Sequence, residues 1–263
     1  MGAGEMATGI AHRLFMCGLT SILMSEAPAP LAVRRGVSFC EAVHEGAKTV
    51  EGVRAERIED ISAIASVWER TAIGVLVDAE ADFLKTFDYD VLIDATMMKK
   101  PKGPLKRKGR AGRFFIGVGP GFRAPDGVDA VIETNRGHDL GRVIYDGEAE
   151  PPTGVPGVIE GVSASRVLRA PHAGMIKTVK SIGDEAKKGD LILYVDDTPV
   201  YAAIDGLVRG LIRPIRVWNN EKVGDIDPRG EKRHCYTISE KARAIAGGVL
   251  EAIMHRFNLS GCV

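Results

Sequence analysis

The chain has 263 residues, of which 45% are hydrophobic and 27% are charged, and both fractions are ordinary for a soluble globular protein. This length suits roughly two domains or one large one and can bury a sizeable core. The 35 acidic residues balance the 35 basic residues, so no global field favours nucleic acid or a membrane surface. Apolar runs stay below the roughly 18 residues of a spanning helix, and charged residues interrupt the N-terminal segment, so neither a membrane span nor a signal peptide is expected.

The cysteines are few and widely spaced. Cys17, Cys40, Cys235 and Cys262 form no C-x-x-C pair, which argues against a structural zinc site and against a disulfide scaffold. We therefore expect reduced thiols in a cytoplasmic protein and no metal site.

The first residues carry a glycine pattern. From Gly2 to Ala7 the chain reads G-x-G-x-x-A, the alanine-ended form of the Rossmann fingerprint. Gly2 would permit a tight turn, Gly4 would let the backbone approach a pyrophosphate, and Ala7 would let a helix over Met6–Leu14 pack on the sheet. The fingerprint normally follows a strand, and here only Met1 precedes it. A flexible N-terminus is the alternative interpretation.

Three charged residues further on fit the same hypothesis. Glu26 lies roughly 20 residues after the glycines, where an acid can accept hydrogen bonds from a ribose diol. Arg34 and Arg35 follow soon afterwards and could meet a nucleotide phosphate, or could simply face water.

The next stretches alternate between strand-like and helix-like patterns. The spacing predicts a helix over Ile61–Arg70 and a hairpin over Lys48–Ile58. Short apolar, branched runs predict strands at Leu19–Met24, Ile73–Asp78, Val91–Asp94, Phe114–Gly119 and Val128–Glu133. Strands that alternate with helices favour an α/β fold with a parallel sheet, in which ligands bind beyond the carboxyl ends of the strands.

Further candidates for a cofactor site fall at those strand ends. Asp94 ends one expected strand, and a loop containing Gly117 and Gly119 follows another and could offer backbone N–H groups to an anion. A bare turn explains that loop equally well. Arg136 and His138 stand in a polar segment after the last expected strand and could bind a ligand or transfer a proton, whereas a simple helix cap is the alternative.

A strongly basic segment lies between two of the expected strands. Lys99–Arg113 contains eight basic residues and no acidic one, together with several glycines. It could close as a mobile lid over a phosphate-bearing ligand, because Arg and Lys donate charge-assisted hydrogen bonds to phosphate. A solvated loop and a nucleic-acid patch are the alternatives, the latter disfavoured by the missing aromatic residues.

The pattern changes after a Pro- and Gly-rich linker at Pro151–Gly161. The A-P-x-x-G string at Ala170–Gly174 and a later Gly-Asp pair are matched further on by Ala202–Gly206, which reads A-A-I-D-G, and by the pair Gly224-Asp225. This repeat resembles the lipoyl/biotinyl barrel-sandwich fold, which implies two pseudo-symmetric halves over residues 166–236. The expected tip at Asp196–Pro199 contains no lysine, so neither lipoate nor biotin is expected there.

We expect the core of this β region to be built from apolar residues of its strands: Met175, Ile176, Val179, Leu191, Leu193, Leu207, Val208, Leu211 and Ile226. An apolar stripe at helical spacing then predicts a C-terminal amphipathic helix over residues 237–258 that packs on a domain. Thr237 and Glu240 fit a capping box at its start.

Four strings resemble one family. They are Gly2–Gly9, Pro30–Phe39, Glu133–Arg142 and Asp225–Gly230, and the resemblance covers nearly the whole chain. It is to the YqeB-type accessory proteins of the selenium-dependent molybdenum hydroxylase system, which are related to the XdhC-type maturation factors.

The resemblance implies a Rossmann-like domain over residues 1–160 that binds a nucleotide or a related cofactor. It also implies a role in maturing a client molybdenum hydroxylase, by holding or modifying its phosphate-bearing pyranopterin cofactor. An NAD(P)-dependent oxidoreductase is the second hypothesis, although no acid/base pair for hydride transfer stands out. A non-catalytic adaptor is the third. Catalytic residues, an enzymatic step and self-association stay open.

Overall fold

The computed structural model describes residues 1–97 and 112–258, in two units. The first unit comprises Met1–Pro28, Phe39–Thr153 and the chain from Ile238 onward, and the second comprises Ala29–Ser38 and Gly154–Thr237. The units are therefore not continuous blocks like 1–160 and 166–236. Ala29–Ser38 joins the second unit because the Val33 side chain lies in that unit's core and Val33 O accepts a hydrogen bond from Leu211 N at 2.8 Å.

The first unit contains helices and mostly short strands. The helices are α1 (Glu5–Met16), α2 (Ala42–Glu45), α3 (Ile64–Glu69) and α4 (Glu240–Asn258). The strands are β1 (Leu23–Glu26), β2 (Ala47–Val50), β3 (Val53–Ile58), β4 (Ile73–Val77), β5 (Val91–Asp94), β6 (Phe114–Val118), β7 (Arg123–Ala124), β8 (Ala130–Ile132), β9 (Val143–Ile144) and β10 (Gly147–Glu148).

Two sheets of this unit are built around parallel strands. One has the order β2-β3-β4-β1, with β3, β4 and β1 parallel, and the other has the order β5-β6-β8-β9, with β5, β6 and β8 parallel. Strand β4 is buried at four consecutive positions, as expected for a parallel strand that is covered on both faces. The α/β class, the parallel pairing and the hairpin of β2 and β3 are confirmed.

Met1 and Gly2 join the two sheets. Gly2 N donates a hydrogen bond to Ser25 O at 2.8 Å, on β1. On the other side, Met1 N donates to Ile93 O at 2.6 Å and Met1 O accepts from Ala95 N at 3.0 Å. No strand is assigned before the glycine loop. Met1 and Gly2 nevertheless form backbone hydrogen bonds on both sides, as a central strand would, and α1 starts at Glu5 shortly after them.

Helix α4 packs along α1. A Cβ atom at Gly9 would lie 2.9 Å from the Cβ of Ala242, so the two helices approach closely at this point. The ring of Phe257 stacks edge-on against Phe114 at the start of β6, with 6.5 Å between the ring centroids. Helix α4 therefore begins at the carboxyl edge of the strands and ends near their amino edge.

Two local predictions for this unit were wrong. The first strand is β1 instead of Leu19–Met24, because the chain still turns after α1 and Leu19 remains 41% exposed. The cap of α4 is Ser239, whose Oγ accepts from Ala242 N at 3.3 Å, whereas Thr237 Oγ1 donates to Arg233 O at 2.9 Å.

The second unit is all β apart from short 3₁₀ turns. Its strands are β11 (Val167–Arg169), β12 (Gly174–Thr178), β13 (Glu185–Ala186), β14 (Leu191–Val195), β15 (Thr198–Tyr201), β16 (Gly206–Leu211), β17 (Arg216–Val217) and β18 (Lys222–Asp227). Antiparallel pairing gives two sheets, with the orders β11-β18-β16-β13 and β15-β14-β12-β17.

These two sheets repeat the same arrangement. In each, two strands from one half of the segment are flanked by two strands from the other half, so neither half makes a sheet of this kind by itself. The core lies among residues such as Ile176, Leu193 and Val208, as expected. Met175 and Val179, which we had expected in the core, are 43% and 54% exposed, because they point to the outer face.

The core of the second unit gives a stability prediction. Leu193→Ala should lower the free energy of unfolding by roughly 2–5 kcal/mol, the range for a leucine buried like this one. Leu191→Ala should cost less because Leu191 is only partly buried. Val179→Ala, at an exposed position, is the control and should change it by less than about 0.5 kcal/mol. Urea unfolding followed by circular dichroism measures all three, and equal losses at the three positions would contradict this core.

Candidate functional site

The glycine loop opens α1 at the carboxyl edge of the parallel strands. Gly2 has a φ of +84°, and a Cβ there would lie 3.1 Å from Ala95 O, so the protein itself requires glycine at this position. Gly4 differs, because a Cβ there would meet no atom within 4 Å in the part of the chain that the structure describes. Gly4 is the N-cap of α1 and offers no side-chain cap to the N–H groups of the first turn.

A buried threonine fixes the loop. Thr8 Oγ1 donates to Ala3 O at 3.1 Å and accepts from Phe39 N at 2.8 Å, and Cys40 N also donates to Ala3 O at 2.8 Å. Ala7 is 4% exposed, which is consistent with a small residue where α1 packs. The sequence analysis did not single out Thr8, although it stands inside the first of the four resembling strings.

The acids at the strand ends shape their own loops. Glu26 Oε2 accepts from Ala3 N and its Oε1 accepts from Ala27 N, both at 2.8 Å. Asp94 Oδ1 accepts from Thr96 N at 3.1 Å and from Thr96 Oγ1 at 2.7 Å. Glu26 therefore ties β1 to the glycine loop, and a ribose diol would have to share a carboxylate that is already engaged.

The loops after β6 and β8 meet at the same edge. Gly119 has a φ of +86°, and a Cβ there would lie 2.9 Å from Thr134 Oγ1, so this position needs glycine. Glu133 Oε1 accepts from the backbone N atoms of Thr134 and Asn135 at 2.6 and 2.7 Å, which closes the second loop. Gly117 was expected to offer its backbone N–H group to an anion. The structure shows instead that the absence of a side chain at Gly117 makes room for the Phe122 ring.

Charged side chains surround the start of α4. Arg136 is exposed and forms an ion pair with Glu240, whereas His138 is exposed in the same loop. Lys241 is partly buried between these charges and two acids of the site. Burial lowers the pKa of Lys241 and Arg136 acts in the same direction, against the opposing effect of the neighbouring carboxylates. Sequence reasoning missed Lys241, because it stands in a helix that was interpreted as packing alone.

Arg34 and Arg35 do not fit the role expected of them. Both lie in the second unit, where Arg34 Nη2 donates to His234 O at 2.9 Å and Arg35 Nε donates to Leu211 O at 2.7 Å. Their guanidinium groups therefore bind backbone carbonyl oxygens of their own unit. The two adjacent arginines in the sequence could not reveal these hydrogen bonds, since the accepting carbonyl groups belong to residues far along the chain.

A buried network of charges occupies the second unit. Asp225 and Asp227 alternate along β18 and are 2% and 1% exposed. Asp225 pairs with Arg166, and Arg209 lies 3.8 Å from Asp225 and 3.5 Å from Asp227. Burial opposes ionisation of Asp227, but the hydrogen bonds and charge of Arg229 outweigh it, so the pKa of Asp227 lies below its ordinary value.

The basic segment Lys99–Arg113 lies outside the described residues, except for its last two positions. Arg113 is described, and its Nη2 donates to Asp88 at 3.0 Å while its guanidinium stacks 4.2 Å from the centre of the Tyr89 ring. Across residues 1–97 and 112–258, no helix is both long and apolar enough to cross a membrane. The same residues contain no group of three or more His, Cys, Asp or Glu side chains that could hold a metal ion.

Fold and site together define a mixed α/β protein with parallel sheets, a C-terminal helix and a glycine loop at the carboxyl edge of the strands. The protein described as "Uncharacterized protein YqeB" from Escherichia coli (strain K12) is 42% identical to this chain over 254 residues. The aligned region covers 96% of this chain and 46% of the relative, so the chain spans about half the length of that relative. This similarity supports a YqeB-type family.

No family model matches the chain. Among solved structures, an aspartoacylase family protein from Mesorhizobium loti is 21% identical and covers 24% of this chain and 23% of its own, with a TM-score of 0.24. The ectoine utilization protein EutE (DoeB) from Ruegeria pomeroyi is 18% identical and covers 31% of this chain and 27% of its own, with a TM-score of 0.23. Likeness at this level carries no argument about fold or activity.

The charge network predicts a loss of stability in acid. Burial and the charge of Arg229 lower the pKa of His234 below its ordinary 6.5, against the attraction of Asp227. The unfolded chain then binds the proton more readily, so the free energy of unfolding should fall as the pH drops through 6.5. The depressed pKa of Asp227 adds a second loss below its ordinary value of 3.8.

Urea unfolding at about pH 7.5 and about pH 5.5 tests the first of these losses. His234→Gln should shrink the difference between the two conditions, because the titrating group is gone. His172→Gln, at a side chain that is 42% exposed, is the matched control and should keep it. An unchanged pH dependence in His234→Gln would contradict the prediction.

Proposed function

We propose that this chain binds a phosphate-bearing cofactor at the glycine loop and takes part in the maturation of a molybdenum hydroxylase. The observation that carries the binding step is the contrast between Gly2 and Gly4. Gly2 is required by its own backbone and by Ala95, whereas no atom of residues 1–97 and 112–258 lies within 4 Å of a Cβ built at Gly4, apart from its chain neighbours and the backbone of α1. A glycine that the fold does not need, at the uncapped start of a helix, suits close approach by a ligand.

The surroundings of this space suit a phosphate. The first-turn N–H groups of α1 lack a side-chain cap among the described residues, and the positive end of the helix dipole lies with them. Both oxygens of Glu26 accept backbone N–H bonds, so that acid is already engaged. Lys241 adds a positive charge near Glu5 in the first turn of α1. The Rossmann-like interpretation of the first unit belongs to this proposal, as does the barrel-sandwich interpretation of the second.

The molybdenum part of the proposal rests on the resemblance of the four strings and on the similarity to YqeB. A bound pyranopterin would present a phosphate, and in its dinucleotide form a nucleotide, to this chain. The residues of the glycine loop would bind and orient that phosphate by their backbone N–H groups. A client hydroxylase is the partner that this function requires, and the cytoplasm is where we place it.

A change at Gly4 tests the binding step. Gly4→Val would put a branched side chain into the open space and should abolish binding of a phosphate-bearing ligand, while its φ of −70° accepts valine without strain. Calorimetry with an oxidised pterin phosphate, guanosine and cytidine diphosphates, NAD⁺ and NADP⁺ provides the measurement. Gly247→Val is the matched control, because a Cβ at Gly247, within α4, also meets no atom of the described residues within 4 Å.

The outcomes separate the functions. Binding of the pterin phosphate that Gly4→Val removes and Gly247→Val keeps supports the proposal. Tight binding of NAD⁺ or NADP⁺ in preference to the pterin would replace it with a nicotinamide-dependent oxidoreductase. Unchanged affinity in a folded Gly4→Val protein would exclude this loop.

A further inference from the structure

We propose that Lys241, on the first turn of α4, is a phosphate ligand of the site at the glycine loop, so that the C-terminal helix completes the site that α1 begins. This inference rests on the proposed function and deepens it. It adds one residue, far away in the sequence, to the set of groups that would bind the anion.

The packing of the two helices places Lys241 at the site. Gly9 of α1 and Ala242 of α4 meet with room for no larger side chain between them, so the start of α4 lies beside the first turns of α1. Side chains in a helix lean toward its N-terminus. Since α4 begins at the carboxyl edge of the strands, Lys241 leans toward that edge, where the carboxylate of Glu5 in the first turn of α1 acts on its charge.

The acids around Lys241 are largely occupied by other groups. Glu240 forms its ion pair with Arg136. Glu133 is 3% exposed, and its carboxylate accepts hydrogen bonds from three backbone N–H groups, those of Thr134, Asn135 and Glu150. Glu5, in the first turn of α1, is the remaining carboxylate that acts on Lys241.

The ammonium group itself is unpaired. Among the described residues, Lys241 makes no hydrogen bond and no ion pair within 4.0 Å, although its side chain is partly buried. Partial burial disfavours the charged form of this ammonium, and an anion that enters the site would stabilise it. A phosphate also accepts several charge-assisted hydrogen bonds at once, and backbone N–H groups and a lysine are the donors that phosphate sites combine.

The lowered pKa of Lys241 agrees with this position, because burial and Arg136 both disfavour the ammonium. A phosphate beside the side chain would reverse that direction and raise the pKa again. Ligand binding should therefore protect Lys241 from reagents that attack the neutral amine.

Variants that separate charge from size test the proposal. Lys241→Met removes the charge and keeps most of the apolar stem, and it should weaken binding of the phosphate-bearing probe that the wild-type protein takes up by roughly 10- to 100-fold. Lys241→Arg keeps the charge and should retain most of the affinity. Lys48→Met, at a partly exposed lysine on β2 of the same unit, is the matched control and should bind as the wild type does.

A labelling experiment on the wild-type protein does not depend on any variant folding. Brief treatment with acetic anhydride, followed by peptide mass spectrometry, should acetylate Lys241 faster than Lys48 in the free protein. Saturation with the same probe should slow the acetylation of Lys241 several-fold and leave that of Lys48 unchanged.

The results of these experiments distinguish the role of Lys241 from the proposed function. Binding that Gly4→Val abolishes and Lys241→Met leaves intact, with no protection of Lys241, would overturn this inference and keep the proposed function. Failure of the wild-type protein to bind any of the phosphate-bearing probes would overturn both. Weakened binding in a folded Lys241→Met protein, together with protection of Lys241, would support both.

Discussion

The first unit depends on a short backbone bridge. Met1 and Gly2 pair with Ser25 on one side and with Ile93 and Ala95 on the other, so two sheets share an edge at the point where α1 begins. Because backbone polar groups in a buried sheet must find partners, this bridge fixes the direction in which the glycine loop leaves the sheet. The loop that Thr8 clamps and the start of α1 come directly after this bridge in the chain.

Carboxylates at the ends of parallel strands have a common role here. Glu26, Asp94 and Glu133 each accept hydrogen bonds from backbone N–H groups of the loop that follows them. These carboxylates hold the loops in place, and part of their hydrogen-bonding capacity is already used by backbone N–H groups before any ligand binds. In the proposed site, a phosphate would therefore be bound by groups other than these carboxylates, namely the first-turn N–H groups of α1 and the ammonium of Lys241.

The second unit follows a different constraint. Its two sheets exchange strands between the two halves of the segment, so the core exists only when both halves are present. The network around Asp225 and Asp227 adds charges that are stable only while they are paired, since an unpaired buried charge is costly. The unit is thus held by an apolar core and by a paired charge network that acid should weaken.

The sequence by itself predicted the parallel strands, the helix after the glycine loop, the C-terminal helix and the two-fold β repeat. Each of these features produces a local pattern of apolar residues or of glycine spacing that can be recognised without the structure. It also indicated Gly2 and Gly119, which have positive φ and close neighbours, and Gly4, which is the N-cap of α1. It could not place Arg34 and Arg35, because their carbonyl partners lie roughly 200 residues further along the chain, and it could not tell that Gly117 makes room for Phe122. Only the tertiary structure brought Lys241 to the start of α1, since the packing of α4 on α1 is a contact between the two ends of the chain that no local pattern records.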